Sequence, residues 1–135
     1  MRRTSILIGI MAVAAMVISL YAQNDMIPAM KEMQPTFGSL NKNIAGGMAA
    51  DAAKDAEKLQ GLFKATADFM KAQKQDKAVG WANDAAAQAG EVAKAIKAND
   101  MATAGTTAKA IQKACKNCHD VHRDGTPGAF KYKAP

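Results

Sequence analysis

Apolar residues recur along most of this chain at alternating steps of three and four, in four separate stretches. Residues at that spacing lie on one face of an α-helix, so each stretch predicts a helix with one buried side. The first two series are Met26, Met30, Met33, Phe37, Leu40, Ile44 and then Ala52, Ala56, Leu59, Phe63, Thr66, Met70. The last two are Ala78, Ala82, Ala85, Ala89, Val92, Ile96 and then Ala104, Ala108, Ile111, Cys115, Cys118, His122.

The segments between these stretches are short. Gly46-Gly47 separates the first two, the polar segment 71–77 separates the second and third, and residues 98–100 separate the third and fourth. Asp100 is placed to cap the last helix. Short connections make neighbouring helices antiparallel, so the sequence predicts an all-α fold, an antiparallel up-down four-helix bundle.

Proline and glycine mark two further features of the helices. Pro35 lies inside the first stretch, where it is expected to kink that helix or to delay its start. Gly125 and Pro127 follow Arg123, so the last helix is expected to end near that residue. Residues 125–135 then form a C-terminal tail, which either folds back or stays loose.

The N-terminus has the layout of a secretory signal peptide over residues 1–22. Arg2 and Arg3 precede an uncharged run from Ile6 to Leu20, and Ala22 offers a small residue at the proposed cleavage site. This run is shorter than the about 20 residues that a membrane span needs, although an uncleaved anchor is the alternative. We expect an exported, periplasmic protein with one domain over residues 23–124 and no membrane span after cleavage.

Charge and composition narrow the classes of partner. Removing Arg2 and Arg3 lowers the formal net charge from +6 to +4, a modest excess that suits an acidic partner surface. The lysines are spread along the chain without interleaved aromatic residues, which argues against nucleic-acid binding. Those at 94, 97, 109, 113 and 116 form either a docking surface or a solvated face.

The alanine-rich third series gives a thin core, which a large apolar cofactor would complete.

The two cysteines carry the most specific motif. Cys115-Lys116-Asn117-Cys118-His119 is C-x-x-C-H, the attachment sequence of c-type haem. On a helix, positions i and i+3 share a face, so both thiols can form thioethers at one edge of a haem. His119 can then bind the iron from the same side.

Other readings of the motif have less support. A thioredoxin-like site needs a βαβ context and a position at a helix start. A zinc site formed by Cys115, Cys118, His119 and His122 has suitable ligand types but crowds them onto one helix face. A chance match is the third alternative, since the pattern fixes three residues. Export and the helical context favour haem.

The segment from Cys115 to Arg123 resembles class II c-type cytochromes, the cytochrome c-prime family, which often carry an arginine four residues after the haem histidine. The segment from Ala29 to Gly38 is similar to the first-helix segment that covers the distal haem face in that family. The connections between helices are shorter here than is usual there. The resemblance implies one covalently attached haem c with His119 as proximal ligand. It also implies a homodimer as one option, since such bundles often pair through their first two helices.

The resemblance aligns Met30 with the residue opposite the haem iron. Methionine there implies a six-coordinate, low-spin electron carrier, whereas an apolar residue leaves an open site for nitric oxide or carbon monoxide. Met26 and Met33 share the face of Met30, and each of the three also suits core packing. We expect single-electron transfer to redox partner proteins rather than enzymatic catalysis, with gas binding as the alternative.

Four further side chains have open roles. Arg123 either pairs with a haem propionate or complements the C-terminus of the last helix. His122 is expected to be solvent-exposed or at an edge. Phe37 and Trp81 are core residues that can also contact a haem.

Overall fold

The computed structural model describes residues 29–134, and these contain four α-helices. The helices are α1 (29–45), α2 (Ala49–Ala72), α3 (Asp76–Lys97) and α4 (Met101–His122). The predicted all-helical fold with four helices is therefore confirmed. The proposed signal peptide and Met26 lie outside the described residues. No helix in the described range is long and apolar enough to span a membrane.

The core is built from the apolar faces that the sequence predicts. Every member of the second and third series is buried. Leu40, Leu59, Ile96 and Ile111 are among the largest side chains that are fully buried, so all four helices contribute to one core. The alanines of α3 have little side chain to separate the helices, and this allows α3 to pack closely against α2 and α4.

Each of the three connections contains one residue in the left-handed region, which ends the preceding helix. These residues are Gly47, Lys74 and Asn99, with φ between 57° and 68°. The predicted cap is present, since the Asp100 carboxylate accepts a hydrogen bond from the Thr103 backbone N–H at 2.9 Å.

One predicted connection is too long, and one of the two alternatives for Pro35 is excluded. The polar segment 71–77 is a connection only over residues 73–75, because its ends continue α2 and begin α3. Helix α1 already exists at residue 29 and runs through Pro35 to residue 45, so Pro35 does not delay its start.

Side-chain contacts also join neighbouring helices. Asn43 Nδ2 on α1 donates to Asp55 Oδ2 on α2 at 2.8 Å, and Lys97 Nζ on α3 lies 2.6 Å from Glu57 Oε1 on α2. The Cβ that an alanine would carry at Gly105 on α4 lies 3.6 Å from Ile44 of α1. The Lys97–Glu57 pair is exposed, and exposed ion pairs stabilise a fold only weakly.

The C-terminal tail folds back against the end of α4. Strand β1 (Arg123–Asp124) pairs antiparallel with β2 (Lys131–Tyr132), with Arg123 opposite Tyr132. We call residues 123–134 the C-terminal ribbon. Its turn requires glycine at position 125, where φ is +96° and an added Cβ would lie 2.6 Å from the Ala129 carbonyl oxygen.

Candidate cofactor-binding site

A cavity of about 650 Å³ lies between the four helices and the C-terminal ribbon. Leu59 and Phe63 of α2 and Ala82 and Ala85 of α3 give it apolar walls. All five residues assigned to a cofactor from the sequence line this one cavity: Met30, Cys115, Cys118, His119 and Arg123. The structure thus brings together residues from opposite ends of the chain.

Cys115 and Cys118 lie on the penultimate turn of α4 with free thiols, the first half-buried and the second buried. Burial raises the pKa of Cys115, and burial together with the neighbouring Cys115 raises the pKa of Cys118 to about 11. Reactive redox cysteines have the opposite property, a pKa lowered at a helix N-terminus. The position and the chemistry of these thiols therefore differ from a thioredoxin-like site.

His119 is half-buried beside the two thiols. Burial lowers the pKa of its imidazole, the positive charge of Arg123 lowers it further, and the carboxylate of Asp120 opposes both effects. A histidine with a lowered pKa is neutral at neutral pH, and a neutral ring nitrogen is the form that binds a metal. His119 is thus in the protonation state that an iron ligand requires.

Helix α1 also contributes to the cavity lining. Met30, Met33 and Phe37 all line it. Met33 is buried in the main core, whereas Met30 is half-buried and packs against both the main core and a smaller cluster containing Cys118. Two of the three candidate methionines therefore reach the cavity, and Met30 is the one that also contacts the cluster of Cys118.

Arg123 has left the helix. Its backbone is extended, with φ −113° and ψ 131°, and its guanidinium lies 4.2 Å from the centre of the Phe130 ring. This is a cation–π distance. The arginine lines the cavity while it holds the ribbon together, and its stacking partner Phe130 was not indicated by the sequence pattern.

The expectation that His122 is exposed or at an edge is wrong. The side chain is buried, with 4% of its surface exposed, because the C-terminal ribbon covers it. Its Nδ1 atom lies 3.2 Å from the Lys133 carbonyl oxygen, and its ring stacks on Tyr132. His122 therefore has structural partners, although it lines the same cavity as the two thiols.

The remaining candidates divide between the cavity and the surface. Trp81 lines the cavity from α3, so both aromatic residues considered for haem contact are present there. Lys94 pairs with Glu91 and Lys97 with Glu57, which favours a solvated face for these lysines. Lys116 pairs with Asp120, and both residues belong to the cavity lining.

Sequence reasoning missed Tyr132. This side chain lines the cavity and makes an edge-to-face contact with Phe69. The short tail has no helical periodicity, so its sequence held no signal for a side chain that packs against the cavity.

Within residues 29–134, no group of three or more His, Cys, Asp or Glu side chains is arranged to hold a metal ion by itself. Sulfur and imidazole side chains from two helices nevertheless line the cavity, Met30 from α1 and Cys115, Cys118 and His119 from α4. Comparison of the chain with protein-family models, with curated proteins and with solved structures finds no match.

Proposed function

We propose that this protein is a monohaem c-type cytochrome that transfers single electrons in the periplasm. The observation that carries the proposal is the convergence of Cys115, Cys118 and His119 from α4 with Met30 from α1 on one apolar cavity. The proposed bundle is antiparallel and up-down. The contact of Lys97, at the end of α3, with Glu57, in the first half of α2, supports that arrangement.

The residues present fit a covalently attached haem. The cavity volume lies within the range of about 300–1,000 Å³ that is usual for cofactor and ligand sites. Cys115 and Cys118, at i and i+3, would form the two thioethers through their sulfur atoms, and neutral His119 would be the proximal ligand.

When bound, haem supplies the one-electron exchange between ferric and ferrous iron. The chain's own residues hold and shield the group. Leu59, Phe63 and Ala85 would pack against the bound group and exclude water from it, and the low local dielectric would help to set the reduction potential. Met30 would bind the iron through its sulfur, raising the potential and closing the site to gases.

Optical spectra of protein produced in a periplasm with haem-attachment machinery test the proposal. We expect a low-spin spectrum with a weak far-red band from sulfur-to-iron ligation, unchanged when carbon monoxide is added to the reduced protein. A high-spin spectrum that shifts with carbon monoxide would instead assign the protein to the gas-binding alternative.

A colourless protein would contradict both haem functions. Elemental analysis for zinc and copper would then test the remaining alternative, a metal-binding module that uses the cysteine, histidine and methionine side chains. Cleavage after Ala22 is checked on the same sample by intact mass.

A further inference from the structure

The opening of the cavity is formed by residues that both line it and are exposed to solvent. Four of them carry positive charge, and we call these the opening cations. They come from three elements: Lys31 from α1, Lys116 from α4, and Arg123 and Lys131 from the C-terminal ribbon. Among residues 29–134, Asp120 is the one carboxylate in the lining. The fold thus gathers cations that are distant in sequence at one opening.

Most of the net positive charge of the chain lies at this opening. Four cations and one carboxylate leave a net charge of +3 there. The whole chain carries +6, of which +4 remains when Arg2 and Arg3 are removed, so the rest of the mature chain is close to neutral. A bound haem would add its two carboxylates, and four cations against three carboxylates still leave the opening positive.

Three of the opening cations have no partner of opposite charge among residues 29–134. The ion pairs in that range use four lysines, Lys58, Lys94, Lys97 and Lys116. Of these, only Lys116 belongs to the opening, where it pairs with Asp120. Charges of one sign around a cleft raise the local potential and attract surfaces of the opposite sign.

An exposed aromatic side chain accompanies these charges. Phe130 lines the cavity with 39% of its surface exposed, and its ring centre lies 4.2 Å from the Arg123 guanidinium. Centres of protein–protein interfaces are enriched in aromatic residues and arginine, whereas lysines belong to the polar rim. The stacked pair of Arg123 and Phe130 therefore suits the centre of an interface, with the lysines around it.

We propose that the cavity opening is the docking surface for an acidic electron-transfer protein. This inference rests on the proposed function. Positive charge would steer the partner to the face at which a group in the cavity is closest to solvent. One electron would then pass between the partner's cofactor and the haem, with no bond formed or broken. An anionic membrane would be attracted by the same charge, but a lipid surface supplies no electron donor or acceptor.

The matched pair Lys31→Glu and Lys42→Glu tests the proposal. Both lysines are exposed on α1 and have no ion pair among residues 29–134, but Lys42 does not line the cavity. It lies about 16 Å further along the helix, at about 1.5 Å per residue. This separation exceeds the Debye length of about 10 Å at 0.1 M salt, so the two changes act on different parts of the surface.

The probe is a plant-type ferredoxin, a small redox protein with an acidic surface. When it and the haem-bearing protein are both oxidised, no electron passes and calorimetry measures binding alone. We expect Lys31→Glu and Lys131→Glu each to weaken this binding about tenfold at 0.1 M salt, and Lys42→Glu to leave it unchanged. Reduction of the protein by reduced ferredoxin should slow in the same two variants, and the difference from wild type should disappear in concentrated salt.

The neutral lumiflavin semiquinone is the control reductant, because a small uncharged molecule needs no docking surface. Its rate constant should be the same in wild type and in all three variants. A slower reaction with lumiflavin would show that the lysines act on the haem itself, and it would overturn the inference.

Three other results would overturn the inference and leave the proposed function standing. They are unchanged ferredoxin binding in Lys31→Glu and Lys131→Glu, equal weakening in Lys42→Glu, and sedimentation of the wild type with phosphatidylglycerol vesicles in the absence of ferredoxin binding. The last of these would assign the surface to a membrane. A colourless wild-type protein would overturn both the inference and the proposed function.

Discussion

At the scale of single residues, Met30 and Met33 reach the same cavity from different surroundings. Met33 has 7% of its surface exposed and sits in the main core. Met30 is half-buried between that core and the cluster that contains Cys118. A side chain that is not enclosed by the core is freer to direct its sulfur into the cavity, which favours Met30 as the distal ligand.

Exchanging each methionine for leucine tests which of the two binds the iron. Met30→Leu should convert the haem to a high-spin form that binds carbon monoxide, because the apolar volume is kept and the sulfur is lost. Met33→Leu should leave the spectrum unchanged and cost less than about 1.5 kcal/mol of stability, as volume-conserving core exchanges do. Optical spectra with and without carbon monoxide, together with thermal unfolding, check both variants. The reverse pattern would assign the ligand to Met33.

The sequence predicts the placement of residues correctly where their spacing within one helix determines it. The motif spacing places Cys115, Cys118 and His119 on adjoining positions of α4, and the structure has them there. His122 could not be placed in the same way. Its burial depends on Tyr132 and Lys133, which approach it only after the chain reverses at Gly125. Local spacing carries no information on such a contact.

At the scale of the elements, the cap at the start of α4 gives a pH-dependent test. Hydrogen bonds from Thr103 lower the pKa of Asp100. A carboxyl with a lowered folded-state pKa stabilises the fold above its unfolded pKa of about 3.9 and loses that contribution as the pH falls through the folded value.

We therefore expect Asp100→Ala to lower the melting temperature at neutral pH, and the difference from wild type to shrink below about pH 4. Asp100→Asn is the control, since asparagine caps helices equally well without a titrating group. It should keep most of the stability at neutral pH and lack the acid dependence of the cap. An equal loss in both variants would contradict the capping role.

The ribbon offers a second test at this scale. Gly125→Ala brings a Cβ within 2.6 Å of the Ala129 carbonyl oxygen and places alanine at a φ of +96°. A strained backbone of this kind costs about 1–3 kcal/mol, which is enough to open a short ribbon. Faster hydrogen exchange of the Lys133 amide should report the opening. Gly128→Ala is the comparison, because its φ is also positive but nothing lies within 4 Å of the added Cβ. It should accelerate exchange less.

The number of helices could be predicted from the spacing of apolar residues. The ends of the helices could not, because they depend on backbone conformation at the connections. Polar residues at 71–77 read as one connection, yet both ends of that segment are helical. Polar side chains are compatible with an exposed helical turn, so composition alone made the predicted connection longer than the actual one. Helix α2 ends where Lys74 takes the left-handed backbone conformation. Lysine rarely adopts that conformation, so the sequence did not indicate this end.

At the scale of the whole molecule, the fluorescence of Trp81 tests whether the cavity holds a haem. It is the one tryptophan of the chain, and it lines the cavity. A haem held there should quench its fluorescence by energy transfer, because the tryptophan would lie against the absorbing group. We expect emission to be weak in the folded protein and to rise severalfold in concentrated guanidinium chloride. Strong emission from folded, haem-bearing protein would place the haem elsewhere.

The buried face of α3 has a consequence for what this fold can become. Ala82 and Ala85 form part of the cavity wall and have almost no exposed surface. Each contributes a single methyl group, and the small volume of these side chains leaves space for the cavity beside α3. Valine or leucine at either position would enlarge the core at the expense of the cavity. These two alanines are therefore positions at which side-chain volume would tune the fold between an open cavity and a filled core.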